Sequence, residues 1–189
     1  LGGVSSSTTW YFAGGDTPTT ISDIDVITFS TEAATNPAAV LAVARYDVAG
    51  VNSSIVGYFG GGNSGTYCSD IDGLIFNTEA ATNPGATLAV ARYYHVGVSS
   101  TTTGYWGGGH TGSLSSEIDG LTFSTETATN PSATLSAARQ QLGGVNSSTS
   151  GYFGGGNTGS DSNLIDKLLF ATETSTDLNA TLAVGRQSL

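Results

Sequence analysis

At 189 residues, 38% apolar and 11% charged, the chain is long enough for one domain, or one ring of small units, with a buried core. No stretch approaches the roughly 20 apolar residues of a membrane-spanning helix, and no leader pattern opens the chain, so no membrane insertion is expected. The net charge of −10, with only Lys167 and four arginines on the positive side, repels a phosphate backbone and excludes nucleic acid as a partner. The single Cys68 excludes an intramolecular disulfide framework and a Cys-rich zinc site.

Self-similarity organises everything else. An aromatic-glycine element recurs as Tyr11-Phe12-Ala13-Gly14-Gly15, Tyr58-Phe59-Gly60-Gly61-Gly62, Tyr105-Trp106-Gly107-Gly108-Gly109 and Tyr152-Phe153-Gly154-Gly155-Gly156, at a constant step of 47 residues. Asp25, Asp72, Asp119 and Asp166 keep the same step, as do Glu32, Glu79, Glu126 and Glu173, and Arg45, Arg92, Arg139 and Arg186. Four units use 188 residues without insertion or deletion, and Leu189 stands where a fifth would begin.

Within a unit, a Gly-Val pair (Gly3-Val4, Gly50-Val51, Gly97-Val98, Gly144-Val145) marks the first strand. A Ser/Thr/Asn cluster then turns the chain into the aromatic second strand. The glycine run ends that strand, and a polar loop of variable sequence follows. Ile-Asp-x-hydrophobic-x-Phe, as in Ile118-Asp119-Gly120-Leu121-Thr122-Phe123, alternates as a third strand. The fourth strand is expected after the turn at Asn36-Pro37, Asn83-Pro84 or Asn130-Pro131, in the Ala-Thr-Leu stretch. The Leu-Ala-Val-Ala-Arg segment is too short for an independent helix and reads as strand and connector.

Four short strands per 47 residues indicate propeller blades rather than a solenoid. The aromatic-glycine element, the hydrophobic-x-aromatic strand and the Arg before each new unit resemble kelch repeats over the whole chain. The resemblance implies an all-β β-propeller occupying residues 1–189, with four-stranded blades at about 1–47, 48–94, 95–141 and 142–188. It departs from the typical kelch blade in having Leu41, Leu88, Leu135 and Leu182 near the place of the fourth-strand Trp. The Gly-Tyr-Phe-Gly-Gly-Gly blades are also similar to those of some bacterial and phage surface or tail proteins, which implies an extracellular or virion location. Kelch-like rings usually hold more than four blades, so the expectation leans to a closed assembly larger than four, such as a homodimeric ring, with a four-blade ring closed by this chain alone and further repeats outside this stretch as the alternatives.

The residues locked to the period read as scaffold. Gly3, Gly50, Gly97 and Gly144 permit close backbone approach, and the glycine runs supply positive φ at tight turns. No helix N-terminus follows them, so they make no phosphate cradle. One Arg recurring beside two fixed carboxylates predicts an ion pair within or between blades that fixes geometry. The pairs Asp23/Asp25, Asp70/Asp72 and Glu117/Asp119 share a strand face, but the fourth unit has Leu164 before Asp166, and no calcium loop pattern exists. No metal site and no cofactor are expected.

Function is expected where the units differ. One variable set follows the glycines and includes Tyr67 and His110; the other follows the arginines as Tyr46-Asp47, Tyr93-Tyr94, Gln140-Gln141 and Gln187-Ser188. Tyr beside carboxylate and amide suits sugars, the ring packing on the pyranose face while polar groups take its hydroxyls. The candidate ligand-binding residues are therefore Tyr46, Asp47, Tyr67, Tyr93, Tyr94, His110, Gln140 and Gln141. His95 occupies a slot that is Leu or Val elsewhere and reads as interior, and Cys68 as a thiol without an assigned role. A serine nucleophile has only His95 and His110 as bases, two His and one Cys are too few for a copper centre, and the repeated carboxylates lack the unlike environments of a glycosidase pair. The expectation is a non-enzymatic binding module contacting glycans or a protein partner through variable loops, with a purely structural repeat scaffold as the alternative.

Overall fold

The computed structural model describes residues 1–189 and is all-β. Each repeat forms one four-stranded antiparallel sheet whose strand order follows the chain. The first sheet holds β1 (Gly2–Ser5), β2 (Thr9–Asp16), β3 (Thr20–Thr28) and β4 (Ala33–Thr35), and the second β5 (Ala49–Asn52), β6 (Val56–Gly60), β7 (Ile71–Ile75) and β8 (Ala80–Thr82). The third holds β9 (Val96–Ser99), β10 (Thr103–Gly107), β11 (Ile118–Thr122) and β12 (Thr127–Thr129), and the fourth β13 (Gly143–Asn146), β14 (Ser150–Gly154), β15 (Leu164–Leu169) and β16 (Thr174–Thr181). The register repeats with the sequence: Val51 lies opposite Tyr58, Val98 opposite Tyr105, and Val145 opposite Tyr152.

Local chemistry sets the turns. Between the first two strands, the Ser53, Ser100 and Ser147 hydroxyls accept backbone N–H bonds from Val56, Thr103 and Ser150, closing the hairpin with a side chain. Between the third and fourth strands the chain reverses at Glu32, Glu79, Glu126 and Glu173, whose φ lies at 51–53°. This early reversal moves the fourth strand. It occupies Ala33–Thr35, Ala80–Thr82 and Thr127–Thr129, before the Asn-Pro turn rather than after it. In the first three repeats the later stretch makes single bridges only, Asp23 to Val40, Asp70 to Thr87 and Glu117 to Thr134, because Asn-Pro has already turned the chain, with Asn83 Oδ1 accepting the Gly85 N–H; in the fourth, which lacks the Pro, β16 runs on through Ala180 and pairs Thr181 with Leu164, where the strand was expected.

The chain divides into two compact units, Leu1–Tyr93 and Tyr94–Leu189, each made of two packed sheets. In the first unit Val4, Tyr11, Ala13, Ile24 and Val26 of one sheet pack with Phe59 and Leu74 of the other. The second unit repeats this with Val98, Tyr105 and Ile118 against Phe153 and Leu168. The stacking is reproduced in detail: Tyr11 lies on Phe76 at 5.2 Å between ring centres, and Tyr105 on Phe170 at 5.5 Å. β2 alternates, with Thr9, Tyr11 and Ala13 buried and Trp10 exposed, whereas β10 is buried along its whole length.

Close approach accounts for the Gly of two Gly-Val pairs. A Cβ on Gly144 would lie 2.9 Å from the Gly97 carbonyl oxygen, and one on Gly50 would collide with the Gly3 carbonyl. At Gly3 the nearest atom would be the Tyr11 carbonyl oxygen, 3.8 Å away.

Candidate functional site

The period-locked charges form interlocks between neighbouring sheets. Arg45, at the end of the first repeat, reaches into the second, where Nη2 donates to the Phe59 carbonyl at 3.0 Å and meets Asp72 Oδ2 at 2.9 Å. Arg139 does the same from the third repeat to the fourth, 3.0 Å to the Phe153 carbonyl and 2.6 Å to Asp166 Oδ2. Each carboxylate also accepts a backbone N–H from the arginine's own repeat, Ala42 to Asp72 and Ser136 to Asp166. Arg92 and Asp119 are buried at the equivalent positions, while Arg186 and Asp25 are exposed.

The glycine run holds the arginine in place. Gly62, Gly109 and Gly156 donate their N–H to the carbonyls of Arg92, Arg139 and Arg186 at 2.8–2.9 Å, from backbone with φ near +100°. Of the two fixed carboxylates, only the Asp serves the arginine. Glu173 accepts the Tyr105 hydroxyl at 2.9 Å instead. Burial pushes the Tyr105 phenol up to about 12, and the adjacent Glu173 carboxylate pushes the same way. Burial likewise raises the Asp72 carboxyl, against the pull of Arg45 and the Ala42 N–H. The Nε and Nη1 of Arg45 and Arg139 find no hydrogen-bond acceptor, so desolvation is only partly repaid and the pairs fix register more than they add stability.

Above the interlocks, the two variable loop sets meet. The residue after one arginine bridges to the post-glycine loop of the next repeat: Tyr46 and Asn63 exchange backbone bonds of 2.9 and 3.0 Å in the first unit, and Gln140 and Asn157 exchange 2.8 and 3.1 Å in the second. Asn63 bridges onward to Tyr67, and the Tyr67 ring stacks on Tyr93 with centres 5.0 Å apart and planes at 24°. Tyr67 is 37% exposed. In the first unit the rim is therefore aromatic, joining Tyr46, Tyr67 and Tyr93. In the second it is an amide patch in which Asn157 Nδ2 donates to Gln187 Oε1 at 2.8 Å and Gln140 stands beside Asn157.

The remaining candidates have backbone tasks. Asp47, Tyr94 and Gln141 occupy one repeat position with φ of 52–57°, a left-handed turn after each arginine. Gln141 donates its N–H to the Tyr94 carbonyl at 2.8 Å. Burial raises the Asp47 carboxyl, with Asp16 adding to the shift and the chain N-terminus opposing it. His110 Nδ1 accepts the Gly112 N–H at 3.2 Å, the place taken by Asn63 Oδ1 on Gly65 and Asn157 Oδ1 on Gly159. It is a turn cap. Cys68 is buried, its thiol donating to Ser64 Oγ and the Thr66 carbonyl. His95 is buried, as its slot among aliphatic residues implies.

Two clefts lie apart from the rim. One of about 270 Å³ runs beside Trp10 and Phe12, with Gly3, Val4, Ser5, Tyr11 and Asn52 completing it. The other, about 470 Å³, is walled by hydroxyls of Ser100, Thr101, Thr102, Ser148 and Thr172, with Tyr105 and Glu173. Sequence reasoning missed both, and missed the exposed cluster of Trp10 with Phe12 and Phe29. The signal for that cluster was present: Trp10 aligns with Gly57, Gly104 and Gly151. No three His, Cys, Asp or Glu side chains converge as metal ligands, and no helix is long and apolar enough to cross a membrane. No protein-family model and no curated protein matches the chain.

Proposed function

We propose that the four sheets are kelch-type propeller blades and that the chain is a non-enzymatic binding module recognising glycans at the loop rim. The observation that carries this reading is the Tyr67–Tyr93 stack, an aromatic surface held beside the Asn63 loop by a buried scaffold. Stacked rings offer an apolar, weakly polarised plane suited to the C–H face of a pyranose, and neighbouring amide and carboxylate groups suit its hydroxyls. The acidic chain repels anionic polymers, so neutral or basic sugars are the favoured ligands. A cell surface or virion is the setting in which such a module meets glycans.

A panel of neutral oligosaccharides tested against the native chain and Tyr67→Ala/Tyr93→Ala decides the matter. Binding by the native chain, lost in the double variant with the fold intact by circular dichroism, supports the rim. Equal binding by both removes it, and binding to a protein partner alone would replace the glycan with that partner.

The second reading is a structural repeat scaffold. It is favoured by the interlocks, and by the use of His110, Gln141 and Asn157 in hydrogen bonds internal to the protein. An absence of any glycan or protein ligand at the rim is what that reading expects.

A further inference from the structure

Within the second unit the turns of its two repeats converge. The β9–β10 turn brings Thr101, the β13–β14 turn brings Ser148, and the β15–β16 turn brings the segment from Phe170 to Glu173; the cleft of about 470 Å³ lies between them. Its surfaces differ in chemistry. Thr101, Ser148 and Thr172 are exposed and supply hydroxyls, of which only that of Thr172 is tied within the protein, to the Thr174 hydroxyl at 2.7 Å. Phe170 and Ala171 add an apolar surface, with Phe170 fixed by its stack on Tyr105, the ring planes 5° apart.

Glu173 is the one charged group lining this cleft. The Tyr105 hydroxyl donates to its Oε1 at 2.9 Å, which holds the half-buried carboxylate in place and leaves Oε2 for another donor. No Lys or Arg lines the cleft, and the net charge of −10 favours a cation as the visitor. The first unit is arranged differently at the same repeat positions. There the Tyr11 hydroxyl donates to the Phe76 carbonyl at 3.3 Å, and Asn77 stands where the fourth repeat has Ala171. Ser30 and Ser124 hold that position in the other two repeats, so the smallest side chain and the carboxylate held by a phenol occur together in the second unit.

We propose that this cleft binds a single protonated amino sugar, independently of the tyrosine rim. The ammonium is taken by Glu173 Oε2, the ring hydroxyls by Thr101, Ser148 and Thr172, and the C–H face by Phe170 and Ala171. A neutral sugar of the same shape forfeits the charge-assisted bond, and a simple alkylamine forfeits the hydroxyls. Selectivity therefore comes from Glu173, and room for the ring from the small side chain of Ala171.

Backbone amide resonances of Thr101, Ser148 and Thr172, followed during titration with D-glucosamine and with D-glucose at mildly acidic pH, test this on the full chain. Glucosamine should shift them saturably, and glucose should bind about tenfold more weakly or worse, the discrimination expected of one charge-assisted hydrogen bond. Glu173→Gln should bring glucosamine down to the level of glucose. Ala171→Asn, which carries the second repeat's side chain at this position, should keep the fold and abolish the shifts. Folded Tyr67→Ala/Tyr93→Ala should bind glucosamine as the native chain does, so a failure of the rim leaves the cleft standing. The proposal is overturned if glucosamine gives no saturable shift, if glucose binds equally, or if Glu173→Gln or Ala171→Asn binds like the parent. Loss of the shifts in Tyr67→Ala/Tyr93→Ala also overturns it, by assigning the amino sugar to the rim.

Discussion

Replacing Arg139 with Met leaves the Asp166 carboxylate buried without its counter-charge, 0% exposed in the fourth sheet. Removing one member of a buried pair costs roughly 3–5 kcal/mol, because the charge left behind is poorly solvated. Loss of the donor to the Phe153 carbonyl, a buried acceptor left unpaired, accounts for about 1–3 kcal/mol of that. For a chain of this size that is a fall in melting temperature of about 6–20 °C.

Neutralising the stranded acid discriminates between causes. Arg139→Met/Asp166→Asn should recover most of the loss at pH 7, because the amide keeps an acceptor for the Ser136 N–H. Urea denaturation of parent, single and double variants at pH 7 reads this. A double variant no more stable than the single refutes the reasoning.

Three further outcomes follow from the same structure. His110→Ala should lower stability by about 1 kcal/mol through loss of the bond from the Gly112 N–H, and His110→Asn should be near neutral, as chemical denaturation will show. In an absorbance titration of the phenols, Tyr105→Phe should remove one group that ionises near 12; the stability tied to its neutral form is present below pH 10 and lost as pH rises towards that value. Gly144→Ala should cost about 1–3 kcal/mol by forcing a methyl against Gly97 and Val96, while Gly3→Ala, whose methyl would make only ordinary contacts, should stay close to the parent in melting temperature.

The 47-residue period, the four strands per repeat and the structural use of the glycines were legible in the sequence because each rests on local chemistry repeated four times. The position of the fourth strand was not. It depended on a glutamate at positive φ, a conformation that Glu32 and its equivalents adopt without any residue type announcing it. An Arg-carboxylate pair was expected, but spacing alone left Asp72 and Glu79 equivalent; the sheet register decides, placing Asp opposite the strand that Arg enters and Glu at the turn. Tyr46, Tyr67 and Tyr93 were readable as individual candidates, whereas their meeting depends on the bridges through Asn63, which join segments from successive repeats. Asp47, Tyr94 and Gln141 looked variable and therefore functional, yet they share a left-handed backbone position that varied side chains can occupy.

The rim is the centre of the account, and tyrosine ring resonances test it site by site. With ring-labelled tyrosine, titration with a neutral oligosaccharide that binds the native chain should shift Tyr67 and Tyr93 first and furthest. The buried rings of Tyr11 and Tyr105 should hold their positions. Shifts confined to Tyr11, beside the Trp10 cleft, or to Tyr105, beside the hydroxyl-walled cleft, would move the binding site away from the rim and contradict the account.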